Sequence, residues 1–211
     1  MRKNRSLREA LEEYLPKDCA EPVLTWFGKN HVLLVIARSR SSKLGDFRSR
    51  GSMAPPVISI NHDLNSYSFL VTLLHEMAHA EVLFTHKKRV QPHGQEWKTA
   101  YRKLALPYLG TAGLDPIFVG VFGQYLQNPS ASSGANQPLA KVLRSFDQPR
   151  EVVLITDIAK DTFFAMPNGR IFRKGAQLRK RIRCECLNNK RIYLFSPMAE
   201  IKPISDVGFI S

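Results

Sequence analysis

The chain has 211 residues, 44% hydrophobic and 23% charged, the balance of a globular protein with room for one good-sized domain or a medium one and a small one. No apolar run approaches the ~18 residues of a membrane span, and the basic start at residues 1–5 leads into alternating charged and apolar positions rather than a signal-type apolar core, so a cytoplasmic protein without membrane contact is expected. The 31 basic residues against 18 acidic ones leave a net charge of +13, a physical lean toward polyanions that says nothing about fold.

Ser6 is suited to cap a short helix that carries Leu7, Leu11, Tyr14 and Leu15 on one face and ends at Pro16. A second helical stretch holds Val23, Leu24, Trp26 and Phe27, with Gly28 as its stop. His31 to Arg38 is a β-branched apolar run typical of a strand, Ser41 to Arg50 reads as a turn or weak edge hairpin, and Val57 to Ile60 as a further strand. Asn61 to Asn65 is turn chemistry that leads into a helix cap. The strongest helix spans Ser66 to about Thr85; it is apolar nearly all round and so belongs at the centre of the domain. A basic loop from Lys87 to Gly94 precedes a helix from Gln95 to Leu106, and another helix is expected from Asp115 to Leu126, with Pro116 in its first turn.

Asn128 to Asn136 is rich in Ser, Ala, Gly and Asn and reads as a linker, followed by one short helix from Pro138 to Phe146. Beyond Pro149 the texture turns to short strands: Val152 to Ile155, Thr162 to Ala165, then a turn at Asn168-Gly169, Ile171-Phe172, and a pair of strands around a second turn at Asn188-Asn189. The expected layout is an α+β domain over residues 1–127 with a short β-sheet and a central helix, a linker with one short helix over 128–150, and a small, basic, all-β module over 151–211. Cys19, Cys184 and Cys186 are the chain's three cysteines; they are too few and too unevenly spread for a disulfide framework, and read as buried thiols.

The chemistry lies in the central helix. His75-Glu76-Met77-Ala78-His79 is an H-E-x-x-H pattern. Positions i and i+4 stand one above the other on a helix, so both imidazoles reach one metal ion. Glu76 points about 100° away from His75, well placed to take a proton from water at the metal and badly placed to be a ligand. Three imidazole, thiol or carboxylate ligands with one open position make a catalytic zinc site. The candidates for the third ligand are His86, His93 and Glu96. Val82 and Thr85 occupy the positions where a metzincin carries its glycine and third histidine, which excludes that class. His93 is favoured because His93-Gly94 follows a loop and precedes a helix, so the chain can fold back over the metal. His31 and His62 read as structural.

These residues resemble the SprT-like family, zincin metalloproteases that include the Spartan-type enzymes. The resemblance rests on Leu73 to Ala80 and His93 to Lys98, with Ser42 to Phe47 and Ile58 to Asn61 upstream, and covers roughly residues 5–110. It implies a small zincin fold, one zinc ion on His75, His79 and His93, Glu76 as the base, and a protein substrate, with DNA-crosslinked proteins as the substrate class of Spartan-type members. The chain lacks the second cysteine pair of the zinc ribbon that bacterial relatives often carry.

A second feature is electrostatic. Residues 170–191 hold nine basic side chains against one acid, Glu185. Arg173, Lys174, Arg179, Lys180, Arg181 and Arg183 are the expected phosphate contacts to DNA, with Phe172, Tyr193 and Phe195 beside them for stacking. Lys87-Lys88-Arg89 is a second basic cluster, in the loop before His93. The alternative reading is therefore a nucleic-acid-binding protein with a gated or weakly active zinc site.

Overall fold

The computed structural model describes residues 6–86, 90–147, 153–166 and 168–204. It divides into two compact units, the first ending at Asp147.

The first unit mixes helices with a small sheet. Helix α1 (Leu7–Tyr14) opens on a capping box: the Ser6 hydroxyl accepts from the Glu9 amide at 3.2 Å, and the Glu9 carboxylate accepts from the Ser6 amide at 2.8 Å. Helix α2 (Ala20–Asn30) runs straight through Gly28, contrary to the expected stop. It ends instead at His31, which takes the left-handed conformation (φ 48°) that a C-terminal glycine usually supplies. Strands β1 (Leu33–Ala37), β2 (Gly45–Arg48) and β3 (Val57–Asn61) form a sheet in the order β1-β3-β2, with β1 parallel and β2 antiparallel to β3. The polar 41–50 stretch thus supplies a true edge strand. Ile58 and Ile60 point into the core, where Leu34, Ile36 and Phe47 join them.

Helix α3 (Ser66–Thr85) spans the expected residues and is buried on most of its faces. The Asn65 side chain caps it, accepting from the Ser68 amide at 2.8 Å. Helix α4 (Gln95–Ala105) packs along it through Trp97 and Tyr101, and the Tyr101 hydroxyl donates to the Val71 carbonyl at 3.3 Å. Helix α5 (Pro116–Gln127) is capped by Asp115. Helix α6 (Gln137–Ser145) closes the unit.

The expected domain boundary at 127 falls inside the first unit, which runs on to Asp147 and so includes residues 128–147. Leu139 is fully buried and Leu143 nearly so, and the Phe146 ring stacks on Tyr67 at 3.8 Å. The Asn65 amide donates to the Leu143 carbonyl at 2.9 Å and to the Asp147 carboxylate at 2.6 Å. Linker-like composition misleads because Asn128 to Asn136 is tied down: Lys98 donates to the Asn128 side chain at 2.7 Å, Tyr125 to the Ser130 carbonyl at 2.9 Å, and Pro129 is buried.

The second unit is an antiparallel sheet of β4 (Val153–Leu154), β5 (Phe163–Ala165), β6 (Ile171–Gln177), β7 (Ile182–Cys186), β8 (Ile192–Phe195) and β9 (Glu200–Pro203), in the order β4-β9-β5-β6-β7-β8. Residue 152, the expected start of β4, lies outside the described residues. Strand β9 has no counterpart in the sequence reading. Ile155, Phe164, Phe172, Ile182, Cys184, Cys186 and Ile201 make the core. At the β6–β7 irregularity a methyl on Gly175 would stand 2.6 Å from the Arg183 carbonyl oxygen, so only glycine fits.

Candidate metal centre and cleft

The face of α3 that carries His75, Glu76 and His79 opens into a cleft of about 820 Å³. A tight turn brings in the third imidazole. The Gly94 amide donates to the Gln91 carbonyl at 3.0 Å, His93 takes a left-handed conformation (φ 57°), and α4 starts immediately afterwards. A methyl on Gly94 would stand 2.9 Å from the Gln91 carbonyl oxygen, so the turn needs a glycine after the histidine.

The three Nε2 atoms form a nearly equilateral triangle: His75 to His79 3.2 Å, His79 to His93 3.0 Å, His93 to His75 3.1 Å. A tetrahedral zinc with ~2.0–2.1 Å bonds to nitrogen needs its donors about 3.3 Å apart. The triangle is within a few tenths of an ångström of that, so the three residues fit a metal ion. Burial lowers the pKa of each imidazole, His75 to about 3 and His79 to about 4, and the neighbouring imidazoles add to the effect at both. All three are therefore neutral at pH 7, the form that binds a metal. Trp97 lies against the cluster, its ring 4.6 Å from His75, 4.8 Å from His93 and 5.7 Å from His79. Its Nε1–H donates to the His75 carbonyl at 3.3 Å. The stretch His93 to Lys98 that carries the resemblance contains it, but the sequence reading gave it no role at the site.

Of the other ligand candidates, neither His86 nor Glu96 joins the triangle. His86 lines the cleft just past the end of α3, its Nδ1 2.8 Å from the Thr85 hydroxyl. His31 and His62 are exposed, outside the cleft.

Glu76 is only 8% exposed. It lies against β2, where the Phe47 amide donates to it and Gly45 leaves it room. Burial pushes its carboxyl up to about 7, and the negative Asp46 pushes the same way against the pull of the Phe47 amide, Lys43 and Arg40. A carboxylate near neutrality is a competent general base and, once protonated, a competent acid. The Asn61 amide donates to the Leu44 carbonyl, so Leu44 and Asp46 direct their backbone groups at β3 while Gly45 and Phe47 direct theirs away from it, toward the cleft.

The basic residues of the second unit divide. Arg179, Lys180 and Arg181 are exposed in the β6–β7 turn, and Arg183 is exposed on β7. Arg173 is ion-paired with Glu185 at 2.8 Å. Lys174 does not fit the expectation of a phosphate contact: it is only 9% exposed, and its ammonium donates to the Ile158 carbonyl at 2.5 Å. Strand alternation explains this, since Lys174 shares the inner face with Phe172, itself 3% exposed and unavailable for stacking. The Lys87-Lys88-Arg89 cluster lies outside the described residues.

Residues 35–111 match the family model of the SprT-like family. The chain carries a SprT-like segment. Comparisons with curated proteins and with solved structures gave no match. The SprT-like segment includes β2, β3, α3 and α4, and with them all three histidines, Glu76 and Trp97; α5, α6 and the second unit lie beyond it. Among the described residues no helix is long and apolar enough to cross a membrane.

Proposed function

We propose that the chain is a zinc-dependent metallopeptidase whose substrates include DNA-bound proteins. One observation carries the reading: three neutral imidazoles with Nε2 atoms within 3.2 Å of one another face a cleft beside a buried carboxylate. His75, His79 and His93 would hold the metal, and three histidines suit zinc. When bound, zinc acidifies water and polarises a carbonyl. Glu76 takes the proton from the attacking water and returns it to the leaving amine. The outward-facing backbone groups of Gly45 and the Phe47 carbonyl, with the Phe47 amide held by Glu76, favour a polypeptide over other substrates, because an extended chain can add to the open edge of β2 as a further strand.

The DNA-bound substrate class is supported by the +13 net charge and by the exposed Arg179, Lys180, Arg181 and Arg183. The same basic turn favours a second reading, a nucleic-acid-binding protein with a gated or weak zinc site. Metal content by mass spectrometry and cleavage of a DNA-bound protein, each in the unaltered chain, His93→Ala and Glu76→Gln, decide between the two. The metallopeptidase reading expects one zinc per chain that His93→Ala loses, and cleavage that Glu76→Gln abolishes while keeping its zinc. A zinc-loaded chain that binds DNA and cleaves nothing supports the second reading.

A further inference from the structure

Seven residues after His75, Glu76 and His79 come Val82, Leu83 and His86. Seven residues are nearly two helical turns, so Val82 and Leu83 continue the same face of α3 about 10 Å further along its axis, and His86 follows just past the end of the helix. All three line the cleft, and Val90 and Pro92 line it with them. Past the imidazoles the cleft therefore becomes mainly apolar, with His86 and Gln91 as its polar members. Leu83 is 47% exposed there, beside the buried Val82. An exposed leucine in a cleft wall loses its water only when an apolar group comes to lie on it.

We propose that Val82, Leu83, Val90 and Pro92 form a subsite for one large apolar side chain of a polypeptide substrate, with His86 at its far end. The proposal rests on the metallopeptidase reading for its occupant: the subsite is continuous with the candidate catalytic face and lies in the cleft that the open edge of β2 borders. Val82 and Leu83 stand about 8 Å along the helix from the midpoint of His75 and His79. Extended chain rises ~3.3 Å per residue, so the side chain belongs to a residue two or three positions from the bond that is cut. An acidic or very small side chain gains nothing in this arm. Burying a leucine-sized group should favour apolar peptides by about ten- to a hundredfold.

The test measures binding apart from turnover. Zinc-loaded Glu76→Gln is titrated with fluorescent peptides of equal length that differ in one residue, leucine or aspartate. The leucine peptide should bind about tenfold tighter or better. Leu83→Asp should erase that preference and Leu83→Met should keep it; the position is exposed enough for both variants to fold, which melting and zinc content confirm. Equal binding of the two peptides, a preference unmoved by Leu83→Asp, or no binding of either peptide overturns the subsite. Cleavage of the same peptides by the unaltered chain, with the cut sites mapped by mass, is scored separately. A binding preference without any cleavage overturns the metallopeptidase reading and leaves the apolar subsite standing.

Discussion

The Trp97 indole packs 4.6 Å from the His75 ring and donates its Nε1–H to the carbonyl of the same residue. One side chain thus touches all three imidazoles and also binds the backbone of the helix that presents two of them. Trp97→Phe keeps a ring and loses the hydrogen bond; Trp97→Ala loses both. Supporting groups of this kind are worth about 10–100-fold in metal affinity. Competition with a chelator should rank the chains unaltered, Phe, then Ala, and the alanine variant should lose about 3–5 kcal/mol of stability as well. Equal zinc affinity in all three would leave Trp97 with a packing role only.

A methyl on Gly45 would stand 2.7 Å from Thr72 Cγ2 and 2.9 Å from Glu76 Oε1. Gly45→Ala should therefore displace Glu76 from β2. The expected loss of stability is about 1–3 kcal/mol, with kcat falling more than that destabilisation accounts for. Peptidase assays beside a melting curve separate the two effects.

The metal-stripped protein should respond to pH in a direction that the buried groups set. Burial holds His75 at about 3 and His79 at about 4, whereas an unfolded histidine titrates near ~6.5. As pH falls below ~6.5 the unfolded chain takes up protons there that the folded one refuses, so these two residues lower stability on the acid side. Glu76 acts in the opposite sense. Its folded value of about 7 lies above the unfolded ~4.3, so it favours the folded state at low pH and loses that contribution as pH rises toward 7. Between about pH 6.5 and 5 the histidines outweigh it, and the melting temperature of the stripped chain should fall. In Glu76→Gln the opposing carboxyl is gone and the fall should be steeper. Parallel curves for the two proteins would contradict this account.

Lys174 should behave differently from Arg179 and Arg181. Lys174→Met leaves the Ile158 carbonyl without its donor, at a cost of about 1–3 kcal/mol, and should leave DNA affinity unchanged. Arg179→Ala and Arg181→Ala should leave the melting temperature alone and reduce the salt dependence of DNA binding by about one unit of log–log slope each. Fluorescence anisotropy at several salt concentrations reads that slope.

The difference between Lys174 and Arg179 also marks where sequence reading stops. Charge is visible in the sequence; which face of a strand turns inward is not, because that depends on what the sheet packs against, and Lys174 shares the inner face with Phe172. Helix α3 was legible to the residue, since Asn65 is a good cap and the apolar run is long. His93 was legible because a histidine followed by glycine at the mouth of a helix is a turn with a ligand on it. Trp97 was hidden in an ordinary amphipathic pattern. The place of α6 was hidden as well, for it depends on a bond from Asn65 to residues about eighty positions away, and no local pattern encodes such a partner. β9 escaped notice because Ile201 is the only fully buried side chain in Glu200–Pro203.

That bond has a practical consequence for anyone who trims the protein. A fragment ending at Gln127 strips the Asn65 amide of both its acceptors, the Leu143 carbonyl and the Asp147 carboxylate, and removes Phe146 from its place beside Tyr67 and Phe118. The amino end of the helix that bears His75 and His79 would lose its anchor. The shortest truncation that keeps this anchor therefore ends at Asp147.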